Sequence, residues 1–195
     1  MGRPRTFDED QVVEAARRQF WETGYHGTSV GDLARATGLG KGSLYGAFGD
    51  KHQLFLRVLD EYCAGAERGV VALVDGPEDE ALDRAHQWLL RTARSSTTRG
   101  CFLAKGTAEL SRTDPEVAER AATTFGVLVD ACTALVEQAQ RAGQVDAGAD
   151  AHTLGTLIVT TQRGLEALGK GGLDTDSLVS AADAAVAGMR IPQPA

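Results

Sequence analysis

The sequence contains few residues that cross-link or stiffen a fold, and it lacks long hydrophobic runs. Only three of its 195 residues are cysteines and five are prolines. Cys63, Cys101 and Cys132 are odd in number and far apart, which is typical of thiols in a reducing compartment. No apolar stretch approaches the ~18 residues of a membrane helix, and the start MGRPRTFDED has no signal-peptide core. We therefore expect a cytoplasmic protein without a membrane partner.

An excess of basic charge is also absent, which argues against a protein whose whole surface is basic. The formal net charge is −7, and it is unevenly distributed. Residues 1–60 hold eight basic and eight acidic side chains, so the acidic excess lies in residues 61–195. The first third of the chain is thus neutral in net charge and the rest is acidic. This distribution is compatible with contact between the first third and nucleic acid.

Strand patterns are missing as well. No segment alternates polar and apolar residues for long enough to demand a strand, and apolar residues recur instead at helical spacing. Capping residues such as Asp8, Ser29 and Asp150 precede these helical segments. The sequence therefore predicts an all-α fold of about nine helices.

Motifs of catalysis and metal binding are absent or out of context. Gly27–Gly31 fits the G-x-S-x-G pattern of hydrolases, but that pattern follows a strand, and here an amphipathic helix precedes it. No lysine is followed by Ser or Thr, which excludes a Walker A loop. We therefore expect no enzyme and no cofactor. We also expect no metal site, because each histidine lacks a second ligand at helical spacing: His26, His52, His86 and His152.

Residues 28–48, TSVGDLARATGLGKGSLYGAF, predict two short helices joined by a turn marked with glycine. This arrangement is typical of a helix-turn-helix motif. Helical phase turns Leu33 and Leu44 towards a core and leaves Lys41, Ser43 and Tyr45 pointing outward. Those three side chains carry groups that bind phosphates and base edges.

Residues 7–60 resemble the DNA-binding domain of TetR-family transcriptional repressors. The run GYHGTSVGDLARATGLGKGSLYGAFGDKHQLF carries the resemblance, through its T-S opening, L-A-x-x-x-G-L turn, K-G-S-L-Y and F-x-x-K-x-x-L-F. The resemblance implies a double-stranded DNA operator as partner. It implies phosphate anchoring by Tyr45 and Lys51, and base reading by Lys41 and Ser43. The full set of implied DNA contacts is Thr28, Ser29, Lys41, Gly42, Ser43, Tyr45 and Lys51.

The chain departs from the family pattern at several small residues. Gly40 stands where many relatives have a capping serine, which weakens the cap by only a few tenths of a kcal/mol. Gly46 and Ala47 occupy outward positions that often carry base-reading side chains, which implies a less stringent operator or more reliance on DNA shape. Arg3 and Arg5 either reach a minor groove or belong to a disordered basic tail.

In this family the remaining helices form a ligand-binding and dimerisation domain. The implied division is an arm and helix-turn-helix domain in residues 1–50, a connecting helix in 51–75 and the ligand-binding and dimerisation domain in 76–192. Apolar residues in the last two helices recur at spacings of three and four, which suits a four-helix bundle across a two-fold axis. Burial within one subunit is the alternative. The predicted homodimer interface is Leu154, Leu157, Ile158, Leu165, Leu178, Val179, Ala182 and Val186.

A small-molecule effector is the second implied partner. Its predicted apolar pocket, for which ordinary core is the alternative, is lined by Trp88, Cys101, Phe102, Glu109, Phe125, Thr160 and Gln162. The segment RGCFLAKGTAEL resembles that of a TetR subgroup that includes quinone- and electrophile-responsive repressors. The resemblance implies a sensor thiol at Cys101, activated by Lys170. A small buried hydrophobic residue is the alternative for Cys101.

The predicted function is a dimeric repressor that leaves a palindromic operator when an effector binds or modifies it. Its two recognition helices would enter major grooves about 34–36 Å apart. The alternative from another class is a small helical enzyme or ligand carrier, with the N-terminal helices as scaffold.

Overall fold

The computed structural model describes residues 7–95 and 100–191, which form nine α-helices, a 3-10 turn at Glu78–Glu80 and no strand. The all-α prediction is therefore confirmed. No helix in these two stretches is long and apolar enough to cross a membrane. In chain order the helices are α1 (Glu9–Gly27), α2 (Val30–Thr37), α3 (Lys41–Phe48), α4 (Lys51–Val71), α5 (Ala81–Ser95), α6 (Phe102–Leu110), α7 (Pro115–Arg141), α8 (Ala151–Lys170) and α9 (Thr175–Ala187).

Two compact units make up the fold, and they do not follow the order of the chain. The first unit consists of the chain up to Cys63 together with Phe102–Ala121. The second consists of Ala64–Cys101 and the chain from Ala122 onward. Helix α6 and the start of α7 therefore belong with α1, α2 and α3, far from them in sequence.

Local capping sets the helix starts in the first unit. The Asp8 side chain accepts two backbone N–H bonds in the first turn of α1. At the start of α2 the Ser29 hydroxyl accepts from the Asp32 N–H at 3.1 Å, and the Asp32 carboxylate accepts from the Ser29 N–H at 2.8 Å. This reciprocal capping box satisfies two N–H groups that the helix itself leaves without partners. Helix α3 begins after Gly40, which has no side chain to act as a cap.

Aromatic side chains fill the core of the first unit. The Phe55 ring lies 5.2 Å from Phe20 and 5.7 Å from Phe102, centroid to centroid. Gly106 lets α6 approach closely, since a Cβ there would lie 3.1 Å from Phe55 Cζ. Helix α6 is thus packed into this core.

The second unit is a helical bundle with an aliphatic core. Gly155 allows α8 to approach α7, because a Cβ at this position would come within 2.6 Å of the Thr133 backbone nitrogen. Burial of the apolar side chains in this core is the main source of the second unit's stability. The largest fully buried members of the core are Leu82, Leu89, Leu128, Leu135 and Ile158.

Candidate nucleic-acid interface and regulatory cluster

Helix α3 presents the predicted DNA-reading side chains to the outside. Lys41 and Ser43 are exposed, and Tyr45 is 44% exposed. Between them Leu44 is buried and anchors the helix against the unit. The side chains that helical periodicity predicted to point outward are therefore exposed and available to a partner.

Glycines keep the exposed side of α3 bare. Gly42 and Gly46 are exposed, and no atom of the described chain lies within 4 Å of a Cβ built on either. Packing inside the chain therefore does not require glycine at these positions. By contrast, Gly38 ends α2 at φ 71°, a left-handed conformation that favours glycine. A partner could reach the α3 backbone closely at Gly42 and Gly46.

Ser29 is exposed at the start of α2, beside an ionised carboxylate. Its hydroxyl donates to Asp32 Oδ2 at 2.6 Å. Hydrogen bonds from the Ser29 hydroxyl and backbone hold the pKa of Asp32 below its usual value. The Ser29 hydroxyl would have to leave Asp32 before it could donate to a phosphate.

Thr28 and Lys51 are engaged inside the fold. Thr28 is only 1% exposed, and its hydroxyl donates to the Gly24 carbonyl at 2.6 Å. The hydroxyl is therefore buried and already bonded, and a contact of Thr28 with DNA stays a prediction. Lys51 Nζ donates to the carbonyls of Tyr25 and Thr28, both at 3.0 Å, and lies 4.1 Å from the centre of the Tyr25 ring. Lys51 thus caps the end of α1, and its phosphate contact stays a prediction. Arg3 and Arg5 lie outside the described residues.

The predicted effector-pocket residues are divided between the two units. Phe102 belongs to the aromatic core of the first unit, where Glu109 also lies and accepts from the His26 N–H at 3.1 Å. In the second unit Thr160 is exposed, whereas Trp88 and Phe125 pack at the edge of the core.

Cys101 and Gln162 are brought together by Arg163. Cys101 is 7% exposed, and its sulfur accepts a hydrogen bond from Arg163 Nη1 at 2.7 Å. The guanidinium also donates to Gln162 Oε1 through Nε, and it lies 3.1 Å from Glu166 Oε2. Burial raises the pKa of Glu166, although Arg163 partly offsets this effect. The Glu166 carboxylate also accepts a hydrogen bond from Cys101.

Arg163 lies at the Cys101 sulfur, where the sequence resemblance implied Lys170. The Lys170 side chain passes over Gly100, since a Cβ on Gly100 would lie 2.8 Å from Lys170 Cδ. Arg163 is the residue whose guanidinium bonds the sulfur. The only signal in the sequence was its position beside Gln162 on a helix that resembles the ligand-binding part of the family.

The predicted dimer positions fall into two groups. Leu157 is 45% exposed, while Leu154 and Val179 are partly buried against the core of the second unit. The others are each at most 3% exposed within one chain, and their contact with a second subunit stays a prediction. These buried positions are Ile158, Leu165, Leu178, Ala182 and Val186.

His52 lies close to two acidic residues that the sequence analysis did not connect with it. One ligand atom each of His52, Asp114 and Glu116 lie within 4.8 Å of one another. His52 Nε2 is 2.6 Å from Asp114 Oδ2, and Asp114 Oδ1 accepts from the N–H of Glu116 and Val117 at 3.1 and 3.2 Å. Both Asp114 oxygens are bonded, so the cluster is explained as the cap of α7 tied to α4.

The exposed helix α3 behind a capped α2 defines a helix-turn-helix DNA-binding protein. Residues 12–58 match the model for bacterial regulatory proteins of the tetR family, and residues 81–186 match that of the tetracyclin repressor-like C-terminal domain. The chain belongs to the TetR family and is a transcriptional regulator, not an enzyme.

Similar proteins cover nearly the whole chain. The transcriptional repressor AcnR of Corynebacterium diphtheriae is 30% identical over 190 residues, 94% of this chain and 92% of AcnR. The repressor ComR of Escherichia coli is 25% identical over 185 residues, 93% of this chain and 88% of ComR. A cysteine mutant of the TetR family regulator CifR, solved with a 26-base-pair operator DNA, has a TM-score of 0.84 at 25% identity, covering 96% of this chain and 100% of CifR.

Proposed function

We propose that the chain is a homodimeric repressor that binds a palindromic operator through α3 and releases it when an effector binds or modifies the second unit. The observation that carries the DNA-binding role is the exposed face of α3, with Lys41, Ser43 and Tyr45 around the bare backbone of Gly42 and Gly46. CifR is bound to operator DNA in its own structure, which supports the same kind of partner here. Such a regulator acts in the bacterial cytoplasm.

The side chains of α3 suit different parts of the duplex. Lys41 and Ser43 lie in the first turn, which is the part of a recognition helix that contacts base edges in the major groove. Tyr45 carries a hydroxyl that can donate to a phosphate oxygen. The net charge of −7 means that attraction to DNA must come from this local surface rather than from the whole molecule.

Three segments of the chain divide the work in this proposal. Residues 1–50 form the DNA-binding domain, residues 51–75 connect it, and residues 76–192 bind the effector and the second subunit. Helix α6 lies in the last of these segments but is packed in the first unit. This placement supports a role for α6 in DNA binding as well.

Helices α8 and α9 provide the surface for dimerisation. Leu157 and Leu168 are 45% and 54% exposed, and their spacing of eleven residues puts them on the same face of α8. Large exposed apolar side chains on one face commonly mark an interface with another protein. Two copies of α8 and α9 would form a four-helix bundle about a two-fold axis.

The Cys101 cluster supports an electrophile as effector. The sulfur of Cys101 lies against the Arg163 guanidinium in the second unit. Electrophiles react with the thiolate form of cysteine, and a basic neighbour is typical of reactive thiols. Alkylation would add bulk in a buried place and so favour a dimer that does not fit the operator.

Binding to the DNA beside the chain's own gene tests the DNA-binding role. Fluorescence anisotropy with this fragment, and with a scrambled fragment of equal length, should show preferential, salt-dependent binding. Tyr45→Ala should weaken binding to both fragments, whereas Lys41→Ala and Ser43→Ala should reduce the preference between them. A folded chain that binds both fragments equally, or neither, would contradict the proposal.

A further inference from the structure

Helix α1 is broken at Gly24, one turn before it ends. Gly24 has φ 79° and ψ 174°, which interrupts the helical pattern. Residues before the break lose hydrogen-bond donors for their carbonyl groups, and residues after it lose acceptors for their N–H groups. These groups are left for water or for side chains from elsewhere in the fold.

Two side chains of α6 supply these partners. Lys105 Nζ donates to the carbonyl oxygens of Trp21 and Glu22, at 2.7 and 3.0 Å. Glu109 Oε2 accepts from the N–H of His26 at 3.1 Å. Lys105 and Glu109 are four residues apart and so lie on one face of α6. An ammonium meets the carbonyl side of the break, and a carboxylate meets the N–H side.

The Glu109 carboxylate occupies the space that a side chain at Gly24 would need. A Cβ built on Gly24 would overlap this carboxylate. The positive φ of Gly24 favours glycine, and a side chain there would also displace the Glu109 carboxylate. The position of the Glu109 carboxylate depends on the break in α1. This carboxylate in turn accepts the His26 N–H, which the break leaves without a helical acceptor.

The turn held in this way leads directly into the helix-turn-helix. Thr28 donates to the Gly24 carbonyl at 2.6 Å, and the next residue, Ser29, caps α2. Lys51, at the start of α4, holds the carbonyls of Tyr25 and Thr28. The direction in which α2 leaves α1, and with it the placement of α3, depends on this short turn.

We propose that Lys105 and Glu109 are positioning residues for operator binding: they clamp the broken turn of α1 and so orient α2 and α3 for the major groove. This inference rests on the proposed DNA-binding function. It assigns the two residues to the DNA-binding unit although neither has to touch DNA.

Substitutions that remove or keep the hydrogen-bonding groups of Lys105 and Glu109 test whether these residues act by holding the turn of α1. Lys105→Met removes the donor and Glu109→Ala removes the acceptor, whereas Lys105→Arg and Glu109→Gln keep a donor and an acceptor. Arg112→Met is a matched control for loss of positive charge, because Arg112 is exposed and lies just after α6. Operator affinity is measured by fluorescence anisotropy at several salt concentrations, and hydrogen exchange of the His26 amide is followed by NMR.

We expect Lys105→Met and Glu109→Ala to weaken operator binding at least tenfold with an unchanged salt slope, and Glu109→Ala to speed exchange at His26. Lys105→Arg, Glu109→Gln and Arg112→Met should bind within about twofold of the wild type. A salt slope smaller by about one unit in Lys105→Met would make Lys105 a phosphate contact and overturn the proposal.

Normal operator affinity in Glu109→Ala, together with fast exchange at His26, would also overturn the positioning role while leaving the DNA-binding function intact. If Lys105→Met does not fold, as judged by circular dichroism, Glu109→Ala against Glu109→Gln decides the question alone. A wild-type chain that binds no operator would instead reject the proposed function, and unchanged exchange at His26 in Glu109→Ala would reject the clamp.

Discussion

Gly42 and Gly46 lie one turn apart on the exposed face of α3, where alanine would make a more stable helix. No described atom lies near enough to either position to exclude a methyl group. The structure within one chain therefore gives no reason for glycine. Close approach of a DNA backbone to α3 would give one, since a Cβ would keep the phosphate away.

Gly46→Ala should raise stability and lower operator affinity at the same time. The free energy of unfolding should increase by roughly 0.5–1 kcal/mol, because alanine loses less backbone entropy in a helix. Urea denaturation and fluorescence anisotropy measure the two effects. Gly126→Ala is the matched control, since Gly126 is an equally open glycine in α7. It should gain similar stability and bind operator normally; if Gly46→Ala does likewise, close approach at α3 is refuted.

The cysteines differ in the surroundings that control their reactivity. Burial raises the pKa of the Cys132 thiol to about 12, which leaves almost no thiolate at neutral pH. Cys101 instead has the Arg163 guanidinium bonded to its sulfur. The thiolate is the reactive form of cysteine, so these two sites should react at different rates.

N-ethylmaleimide should modify Cys101 ahead of Cys132, and Arg163→Met should slow this reaction more than Lys170→Met does. Mass spectrometry of the digested protein measures both rates. Cys101→Ser should bind operator normally and lose its response to the electrophile, while Cys132→Ser keeps it. Finding Cys101 unmodified in protein that an electrophile has released from DNA would end the sensor hypothesis.

At the scale of the helices, one hydrogen bond ties the start of α4 to the start of α7. His52 lies in the first turn of α4, and Asp114 caps α7. Burial raises the pKa of Asp114, but the bonds from His52 and from the backbone N–H groups of Val117 and Glu116 outweigh it and hold the pKa below its usual value of 3.8. The ionised carboxylate is therefore favoured by folding.

Because the pKa of Asp114 is lower in the folded state than in the unfolded state, its contribution to stability is present above pH 3.8 and is lost as the pH falls through the folded value. Asp114→Asn should lower the free energy of unfolding by about 1 kcal/mol at neutral pH, and the difference should shrink in acid. Urea denaturation across this pH range measures it. Asp75→Asn, at an exposed position, is the control and should have little effect at any pH. A difference that stays constant in acid would assign the loss to something other than ionisation.

At the scale of the whole molecule, apolar residues on the last two helices serve two purposes. Leu178 and Val186 fill the core of one chain, whereas Leu157 and Leu168 are exposed on α8. Charge at the two kinds of position should therefore have different consequences. A buried charge destabilises the chain itself, and an exposed charge acts on association.

Leu157→Glu should yield a folded monomer that cannot hold a palindromic site, since it puts a charge into the proposed interface. Val186→Glu should instead unfold the chain, because Val186 is 2% exposed. Analytical ultracentrifugation and circular dichroism distinguish the two results. Ala147→Glu, in an exposed loop, is the control and should remain a folded dimer. Intact dimers of Leu157→Glu would reject this face of α8 as the interface.

The sequence by itself determined the features that depend on near neighbours in the chain. Capping at Asp8 and Ser29 acts over two or three residues, and helical periodicity separates buried Leu44 from exposed Lys41 and Tyr45. The number of helices, the helix-turn-helix and its outward side chains could therefore be predicted. Their local interactions require no knowledge of the rest of the fold.

Only the tertiary structure decided which partners meet across long distances in the sequence. It buries the Thr28 hydroxyl, bonds Arg163 to Cys101 and brings Lys105 to the end of α1. Periodicity had also predicted apolar faces on α8 and α9, but not that Ile158 and its buried neighbours belong to the core of one chain. The physical reason is that a hydrophobic pattern shows which face is buried, whereas its partner depends on how separate helices pack together.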